Sequence, residues 1–160
     1  MKRAPVISAQ HLDIGYHTGG DGIKRVHTDL NIALYAGELT CLLGANGAGK
    51  STLLRTLSGA QPSLAGDVCI NGKPLKDISR HILSQTIGVV LTDKTAIGGL
   101  TVREVVALGR QPHTGFFGIL TSHDKQVVED SLEACGIADK GTRYMASLSD
   151  GERQKVMIAK

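Results

Sequence analysis

The chain has 160 residues, of which 41% are hydrophobic, and this suits one domain with a buried core. Its 18 basic and 15 acidic residues give a net charge of +3, without a basic block or interleaved aromatic residues, which argues against nucleic acid as a partner. No apolar run approaches the roughly 20 residues that cross a bilayer, and no signal-peptide core follows the N-terminus. We therefore expect a soluble, cytoplasmic protein.

Cysteine and histidine usage argues against a disulfide framework and against a metal cluster. The three cysteines are far apart, at positions 41, 69 and 135, and lack metal-ligand spacing. The six histidines form no His-x-x-x-His pair and no cluster with cysteine. We expect reduced, buried thiols, and histidines in surface or hydrogen-bonded positions.

The N-terminal part of the chain predicts an antiparallel hairpin. Residues 6–12 and 31–34 have strand character and flank a polar, glycine-rich tip at residues 18–22. An apolar run at residues 39–43 predicts a buried strand, and leucines at helical spacing predict a helix over residues 52–57.

Strands and then helices are predicted in the rest of the chain. Residues 66–72 read as a short strand ending in an Asn-Gly turn, and residues 87–91 read as a fully apolar strand. Helices are predicted at residues 101–108, 122–134 and 149–160, with Thr101, Ser122 and Ser149 as N-caps. This order indicates an α/β nucleotide-binding core with a helical insert.

Residues 44–51 form a Gly-x-x-x-x-Gly-Lys-Ser phosphate-binding loop between the predicted strand and helix. Glycines let the backbone amides come close to phosphates, and the helix that follows directs its unpaired N–H groups at the same anion. Lys50 can reach the β- and γ-phosphates, and Ser51 can supply a hydroxyl to Mg²⁺. The predicted nucleoside-triphosphate site consists of Gly44, Ala45, Asn46, Gly47, Ala48, Gly49, Lys50, Ser51 and Thr52.

A phosphate-loop NTPase also needs an apolar strand that ends in a Mg²⁺-binding Asp. After Lys50 no run supplies such an acid in a convincing setting. The apolar residues 87–91 are followed by Thr92 and Asp93, and theirs is the only apolar run that ends near an acid.

A second motif, Leu-Ser-Asp-Gly-Glu, occupies residues 148–152. Ser149 begins a helix whose first turn contains Glu152, and this pattern by itself also describes an ordinary capping box. Because it lies about 100 residues after the phosphate loop, however, it resembles the Leu-Ser-Gly-Gly-Gln signature of ATP-binding cassette (ABC) ATPases.

The resemblance extends along the chain. Tyr16 lies where the ABC family places the aromatic residue that stacks on adenine, and Ala-Gly-Glu at residues 36–38 precedes the phosphate-loop strand as it does there. Residues 101–115, with Gly-Arg-Gln-Pro-His at 109–113, look like the start of the helical subdomain in importers of iron(III) siderophores, haem and vitamin B12. The substrate class rests on this resemblance alone.

The resemblance implies a P-loop NTPase core of the ABC type, with an antiparallel β subdomain and a helical subdomain at about residues 100–150 of one ATP-binding domain, 1–160. The chain stops before the family's Mg²⁺-binding Asp strand, the Walker B strand, so it resembles an N-terminal fragment that lacks the catalytic base. Two residues depart from the family pattern: Thr92 stands where Gln is usual, and Asp150 where Gly is usual. We expect the Asp150 carboxylate to turn to solvent.

The resemblance implies that the complete protein would hydrolyse ATP with Mg²⁺ to drive import of an iron chelate or a related compound. Its partners would be a second copy, arranged head to tail, and integral membrane permease subunits at the inner face of the cell membrane. Lys50, with Thr92, would be catalytic, Tyr16 would bind adenine, and Ser51 would bind Mg²⁺. The opposite subunit's γ-phosphate would contact Ser149, Gly151 and Glu152. Two alternatives stay open: a soluble ABC ATPase without a transport role, and a nucleotide-binding regulator that does not hydrolyse ATP.

Overall fold

The computed structural model describes residues 3–20, 22–90, 99–115 and 117–160. The chain divides into two compact units, Met1–Leu83 and Ser84–Lys160. The strands are β1 (Ile7–Thr18), β2 (Gly22–Leu34), β3 (Ala65–Ile70) and β4 (Lys73–Pro74). The α-helices are α1 (Lys50–Leu57), α2 (Arg80–Thr86), α3 (Val102–Leu108), α4 (Ser122–Ala134) and α5 (Asp150–Ala159).

The first unit contains a four-stranded antiparallel sheet in the order β2-β1-β3-β4. The predicted hairpin is confirmed, and both of its strands are longer than the sequence indicates. The predicted Asn-Gly turn is also confirmed: Asn71 and Gly72 have φ values of 49° and 77° and connect β3 to β4. Two successive residues with positive φ are what a tight hairpin turn requires.

The hairpin between β1 and β2 is irregular, with three shifts of register. Two residues with positive φ lie at these shifts, His11 at 48° and Asp29 at 53°. The last shift lies between the pairs Ile14–His27 and Gly15–Arg25, so Val26 is an extra residue on β2. Such β-bulges bend a strand and redirect its side chains.

The core of the first unit lies between the sheet and α1. Its fully buried members come from β1, β3 and α1, and partly buried side chains from β2 pack against them. The buried set is Ala9, Leu12, Ile14, Leu57 and Val68.

The second unit is helical, and its core joins α3, α4 and α5. The predicted helices at residues 101–108, 122–134 and 149–160 are confirmed. The N-caps of α3 and α5 are Thr101 and Ser149, as predicted, but α4 is capped by Thr121 and not by Ser122. The buried core consists of Val102, Val105, Val106, Val128, Leu132, Ile137, Met145, Leu148, Val156 and Ala159.

The two predicted apolar strands next to the phosphate loop and at residues 87–91 do not form within the described residues. Residues 39–43 and 87–90 have no regular secondary structure, and Leu39 and Leu43 are 93% and 88% exposed. An apolar run becomes a strand only where a neighbouring strand supplies hydrogen bonds, and no described residue pairs with either run. In the same run Cys41 is a free and exposed thiol, whereas the sequence predicted a buried one.

In the part of the chain that the structure describes, no helix combines the length and the apolar character needed to cross a bilayer.

Candidate nucleotide-binding site

The phosphate loop turns through two glycines in the left-handed region, Gly47 and Gly49, with φ values of 81° and 82°. They meet different demands. A Cβ at Gly47 would meet no atom within 4 Å, whereas a Cβ at Gly49 would overlap Val26 and lie 3.1 Å from the His27 ring. Gly49 is therefore required both by its backbone conformation and by the close approach of β2.

Helix α1 begins directly after Gly49, and its N-terminus has no side-chain cap. Gly49 offers no side-chain oxygen to the first amides, and the first turn contains no acidic residue. The Gly49 carbonyl accepts the first helical hydrogen bond, from the Leu53 amide at 2.9 Å. The first amides of the helix thus keep their partial positive charge for an external anion.

The Lys50 side chain folds back over the loop. Its ammonium group donates to the carbonyl oxygens of Gly44 and Ala45, each at 2.7 Å. Within the described residues no carboxylate forms an ion pair with Lys50. A cation held only by neutral carbonyls in an exposed loop keeps its attraction for phosphate oxygens.

Tyr16, near the end of β1, lies beside the first turn of α1. Its phenolic oxygen is 2.6 Å from the hydroxyl oxygen of Thr52, and the tyrosine is 40% exposed. Thr52 is buried, and its carbonyl accepts a hydrogen bond from the Thr56 hydroxyl at 2.9 Å. The structure therefore places Tyr16 and the phosphate loop in one surface region.

The structure adds one residue that the sequence did not indicate. His27 lies on β2 with its Nε2 atom 2.8 Å from the carbonyl oxygen of Ala48. The sequence motif around position 27 gives no signal for this contact, because it depends on the bulge in the hairpin.

Ser51 is exposed at the start of α1, where its hydroxyl can serve as a metal ligand. Among the described residues there is no group of three or more His, Cys, Asp or Glu side chains that could hold a metal ion. The Ser51 hydroxyl is a single protein oxygen at the end of the phosphate loop. Such a site fits Mg²⁺, which keeps several waters and binds through one or two protein oxygens together with substrate phosphates.

The second motif lies in the other unit, at the N-terminus of α5. Ser149 caps the helix, and both its amide and its hydroxyl donate to the Glu152 carboxylate, at 2.8 and 2.9 Å. Lys140 lies 3.5 Å from the second carboxylate oxygen. The pKa of Glu152 is lowered, first by the Ser149 amide and then by its hydroxyl and by Lys140. Unlike α1, this helix end is closed by its own carboxylate.

The other residues of the second motif are open to solvent. Gly151 is exposed, and a Cβ there would meet nothing within 4 Å. The Asp150 side chain is 83% exposed and pairs with Arg153 at 3.2 Å, so it turns to solvent as predicted. Thr92 and Asp93 lie outside the described residues, and the catalytic role assigned to Thr92 stays a prediction.

The profile of the family described as ABC transporter matches residues 27–160. Three relatives are similar over most of this chain. The iron(3+)-hydroxamate import ATP-binding protein FhuC of Bacillus subtilis is 39% identical over 96% of this chain and 55% of its own length. The ferric enterobactin transport ATP-binding protein FepC of Escherichia coli is 33% identical over 96% and 55%. The cobalamin import ATP-binding protein BtuD of Halobacterium salinarum is 39% identical over 85% and 34%.

Solved structures have the same fold. CbiO1 of Clostridium perfringens, part of the ABC transporter complex CbiONQ, has a TM-score of 0.78 and 25% identity, over 98% of this chain and 61% of its own. The dimeric ATP-binding cassette MJ0796, bound to ADP and Pi, also has a TM-score of 0.78, at 22% identity over 96% and 67%, and supports the fold alone.

The predicted fold class, an α/β ATPase fold of the ABC type with an antiparallel β part and a helical part, is confirmed by these likenesses. The chain spans about half the length of FhuC and FepC and a third of BtuD. On the family match across residues 27–160, the chain belongs to the ABC transporter family.

Proposed function

We propose that this chain binds Mg²⁺-ATP at the phosphate loop, as part of the ATP-binding subunit of an importer for an iron chelate or a related metal-organic compound. The observation that supports the proposal most is the open N-terminus of α1. It combines uncapped amides, no acid in the first turn, and a lysine ammonium held only by carbonyl oxygens. That arrangement favours a polyanion over any neutral ligand.

Each residue of the site has a distinct task in this proposal. Lys50 exchanges its bonds to the Gly44 and Ala45 carbonyls for bonds to the β- and γ-phosphates. Ser51 offers its hydroxyl to Mg²⁺, which when bound neutralises phosphate charge. Tyr16 provides a partly exposed aromatic ring for the adenine base, and its hydrogen bond to Thr52 fixes the ring beside the first turn of α1.

The transport role is supported by the relatives' names. FhuC, FepC and BtuD are named as ATP-binding proteins for import of iron(3+)-hydroxamate, ferric enterobactin and cobalamin. We infer the same broad class of cargo, a metal bound in an organic chelate, for the complete protein. We also propose that a second copy places its own Ser149, Gly151 and Glu152 against the γ-phosphate, and that permease subunits bind the pair at the inner face of the membrane.

The test is removal of the Lys50 ammonium group in the full-length gene product. In Lys50→Ala we expect ATP binding to weaken by roughly 1.5–3 kcal/mol, because a charge-assisted contact is lost, and ATP turnover to cease. Calorimetric titration and a phosphate-release assay measure the two effects. Lys125→Ala, which removes an exposed lysine on α4, is the matched control and keeps both activities.

Unchanged ATP affinity and turnover in Lys50→Ala would refute the proposed site. ATP binding by the wild type without any turnover would favour the non-hydrolysing regulator over the importer subunit. Transport is then tested with vesicles that contain the permease. An iron(III) chelate is added outside the vesicles, and its ATP-dependent uptake is measured.

A further inference from the structure

The orientation of one peptide bond decides whether the phosphate loop can bind an anion through the Gly49 amide. The described residues contain no cis peptide bonds, so the Ala48 carbonyl and the Gly49 N–H point in opposite directions. If the carbonyl were to turn toward the bound phosphates, the loop would present an acceptor to an anion instead of a donor. The side to which the Ala48 carbonyl points is therefore a property that a phosphate loop must control.

In this chain the Ala48 carbonyl points to β2, where it meets the imidazole of His27 at 2.8 Å. A carbonyl oxygen only accepts, so Nε2 must donate its N–H. Both the neutral imidazole with its proton on Nε2 and the imidazolium can make this bond. The contact therefore does not need His27 to be charged.

The bulge in the hairpin is what brings His27 to the loop. Along a regular strand, neighbouring residues point to opposite faces, so Val26 and His27 could not both contact the same glycine. Because Val26 is an extra residue in β2, the alternation is broken, and both side chains reach Gly49. Val26 and the His27 ring both lie next to the position that a Cβ at Gly49 would occupy, and the ring also bonds to the preceding carbonyl.

We propose that His27 is a positioning residue of the phosphate loop. By holding the Ala48 carbonyl against β2, it fixes the Ala48–Gly49 peptide so that the Gly49 N–H faces the phosphate side. The neighbouring Lys50 bonds cannot do this, because they hold the carbonyls of Gly44 and Ala45 and leave the Ala48 carbonyl to His27. The proposal rests on the proposed ATP site and adds a residue of the β2 strand to it.

The experiment compares three substitutions in the full-length protein. His27→Leu keeps much of the apolar contact and removes the donor. His27→Gln places an amide N–H near the position of Nε2, whereas His27→Asn places it near Nδ1, too close to the backbone to reach Ala48. His17→Leu, at an exposed histidine of the same hairpin, is the matched control.

For Mg²⁺-ATP, measured by calorimetry, we expect about threefold to tenfold weaker binding in His27→Leu and His27→Asn, the effect of one hydrogen bond. His27→Gln and His17→Leu should stay within about twofold of the wild type on the same scale. In the ligand-free protein, the amide resonance of Gly49 should shift in His27→Leu and return toward its original position in His27→Gln. A general loss of stability would not distinguish Gln from Asn.

Two results overturn the positioning role: wild-type affinity in His27→Leu, or equal weakening in His27→Gln and His27→Asn. If His27→Leu does not fold, the Gln and Asn pair decides alone. A failure of the ATP site itself is distinct, since the wild type would then bind ATP no better than Lys50→Ala. In that case the Gly49 resonance still decides whether His27 orients the peptide.

Discussion

The N-terminus of α1 differs from those of α3, α4 and α5, although all four helices belong to one short chain. Helices α3, α4 and α5 each begin with a capping box, in which Thr101, Thr121 or Ser149 bonds to an acid three residues later. Helix α1 begins with Gly49, has no side-chain cap and has no acid in its first turn. Capping typically stabilises a helix by about 1 kcal/mol, so α1 forgoes a common source of stability.

A capped helix N-terminus stabilises the fold, whereas the uncapped N-terminus of α1 leaves its amides available to a ligand. A carboxylate at a helix N-terminus satisfies the amides that an external anion would otherwise use. Helix α5 is the informative intermediate, because it is capped like α3 while Ser149 is also assigned to the second copy's phosphate. An anion that uses the Ser149 amide or hydroxyl must displace the Glu152 carboxylate from them.

The largest effect at the uncapped N-terminus of α1 is expected from Gly49→Ala. The new methyl group would overlap Val26 and force an L-residue into the left-handed region, which alone costs roughly 1–2 kcal/mol. We expect ATP affinity to fall by well over tenfold, together with a lower free energy of unfolding in the ligand-free protein. Gly47→Ala has the same backbone strain without a neighbour within 4 Å, so its ligand-free stability should fall less. Equal stability losses in the two variants would show that the close approach of Val26 to Gly49 adds no cost beyond the backbone strain.

Substitutions of Tyr16 test whether its aromatic ring contributes to nucleotide binding at the N-terminus of α1. In Tyr16→Ala, binding of ATP and of GTP should both weaken by about 1–3 kcal/mol, by analogy with base–aromatic stacking, which tolerates any base. Tyr16→Phe removes only the hydrogen bond to Thr52 and should weaken nucleotide binding by about 0.5–1.5 kcal/mol. Titrations with both nucleotides measure these effects. No loss in Tyr16→Ala would show that Tyr16 is only a packed strand residue.

The capped ends predict an acid sensitivity that the end of α1 lacks. The hydroxyl of Thr121, then its amide, then Arg110 lower the pKa of Asp124 from 3.8 to about 2. A carboxyl group whose pKa is lowered by folding stabilises the folded state at any pH above its ordinary pKa. This stabilisation is lost as the pH falls and the group is protonated. Stability of the helical unit should therefore fall as the pH drops from about 4 toward 2. Hydrogen exchange in α4 against pH measures this.

Asp124→Asn should remove that part of the pH dependence and lower stability at neutral pH, because Arg110 then loses its ion-pair partner at 2.9 Å. Asp130→Asn, on the exposed side of the same helix, is the control and should retain the acid transition. An unchanged pH profile in Asp124→Asn would assign the transition to other carboxyl groups.

The smallest effect distinguishes two capped ends from each other. Thr101→Ala and Ser149→Ala should each lower the free energy of unfolding by about 1 kcal/mol, since each removes one N-cap. Thr101→Ala should leave ATP-dependent association of two copies unchanged, whereas Ser149→Ala should weaken it. Denaturant unfolding and light scattering with ATP measure the two properties. Identical association in the two variants would limit Ser149 to its capping role.

The parts of the fold that the sequence predicted correctly are those set by neighbouring residues. A turn at Asn71 and Gly72, and the N-caps at Thr101 and Ser149, each depend on a few adjacent side chains. The helix after the phosphate loop is of the same kind. At α4 two hydroxyl residues stand side by side, and Thr121 is the cap because its hydroxyl lies three residues before the amide and carboxylate of Asp124.

The features that sequence reasoning missed depend on distant partners. The apolar runs 39–43 and 87–90 have strand composition, but no described strand lies beside them to pair with. The contact of His27 with Ala48 requires a register shift between β1 and β2, which composition does not encode. For the candidate site, the sequence therefore indicated the loop and Tyr16, whose nucleotide-binding roles stay predictions, and gave no indication of the strand residue that contacts the loop.

The central place of β1 in the sheet also has a consequence for folding kinetics. β1 pairs on one side with β2 and on the other with β3, so residues 35–64, including the phosphate loop, form an excursion that starts and ends at one sheet. Pairing of β1 with β2 closes only the short turn between them. Pairing of β1 with β3 must also close the much longer stretch 35–64, so it is slower because its entropic cost is larger. Helix α1, which follows the loop, shares its core with β3, so we expect this core to be complete only after the longer closure. A nucleotide that recognises the finished loop should consequently slow unfolding while leaving the rate of hairpin formation unchanged.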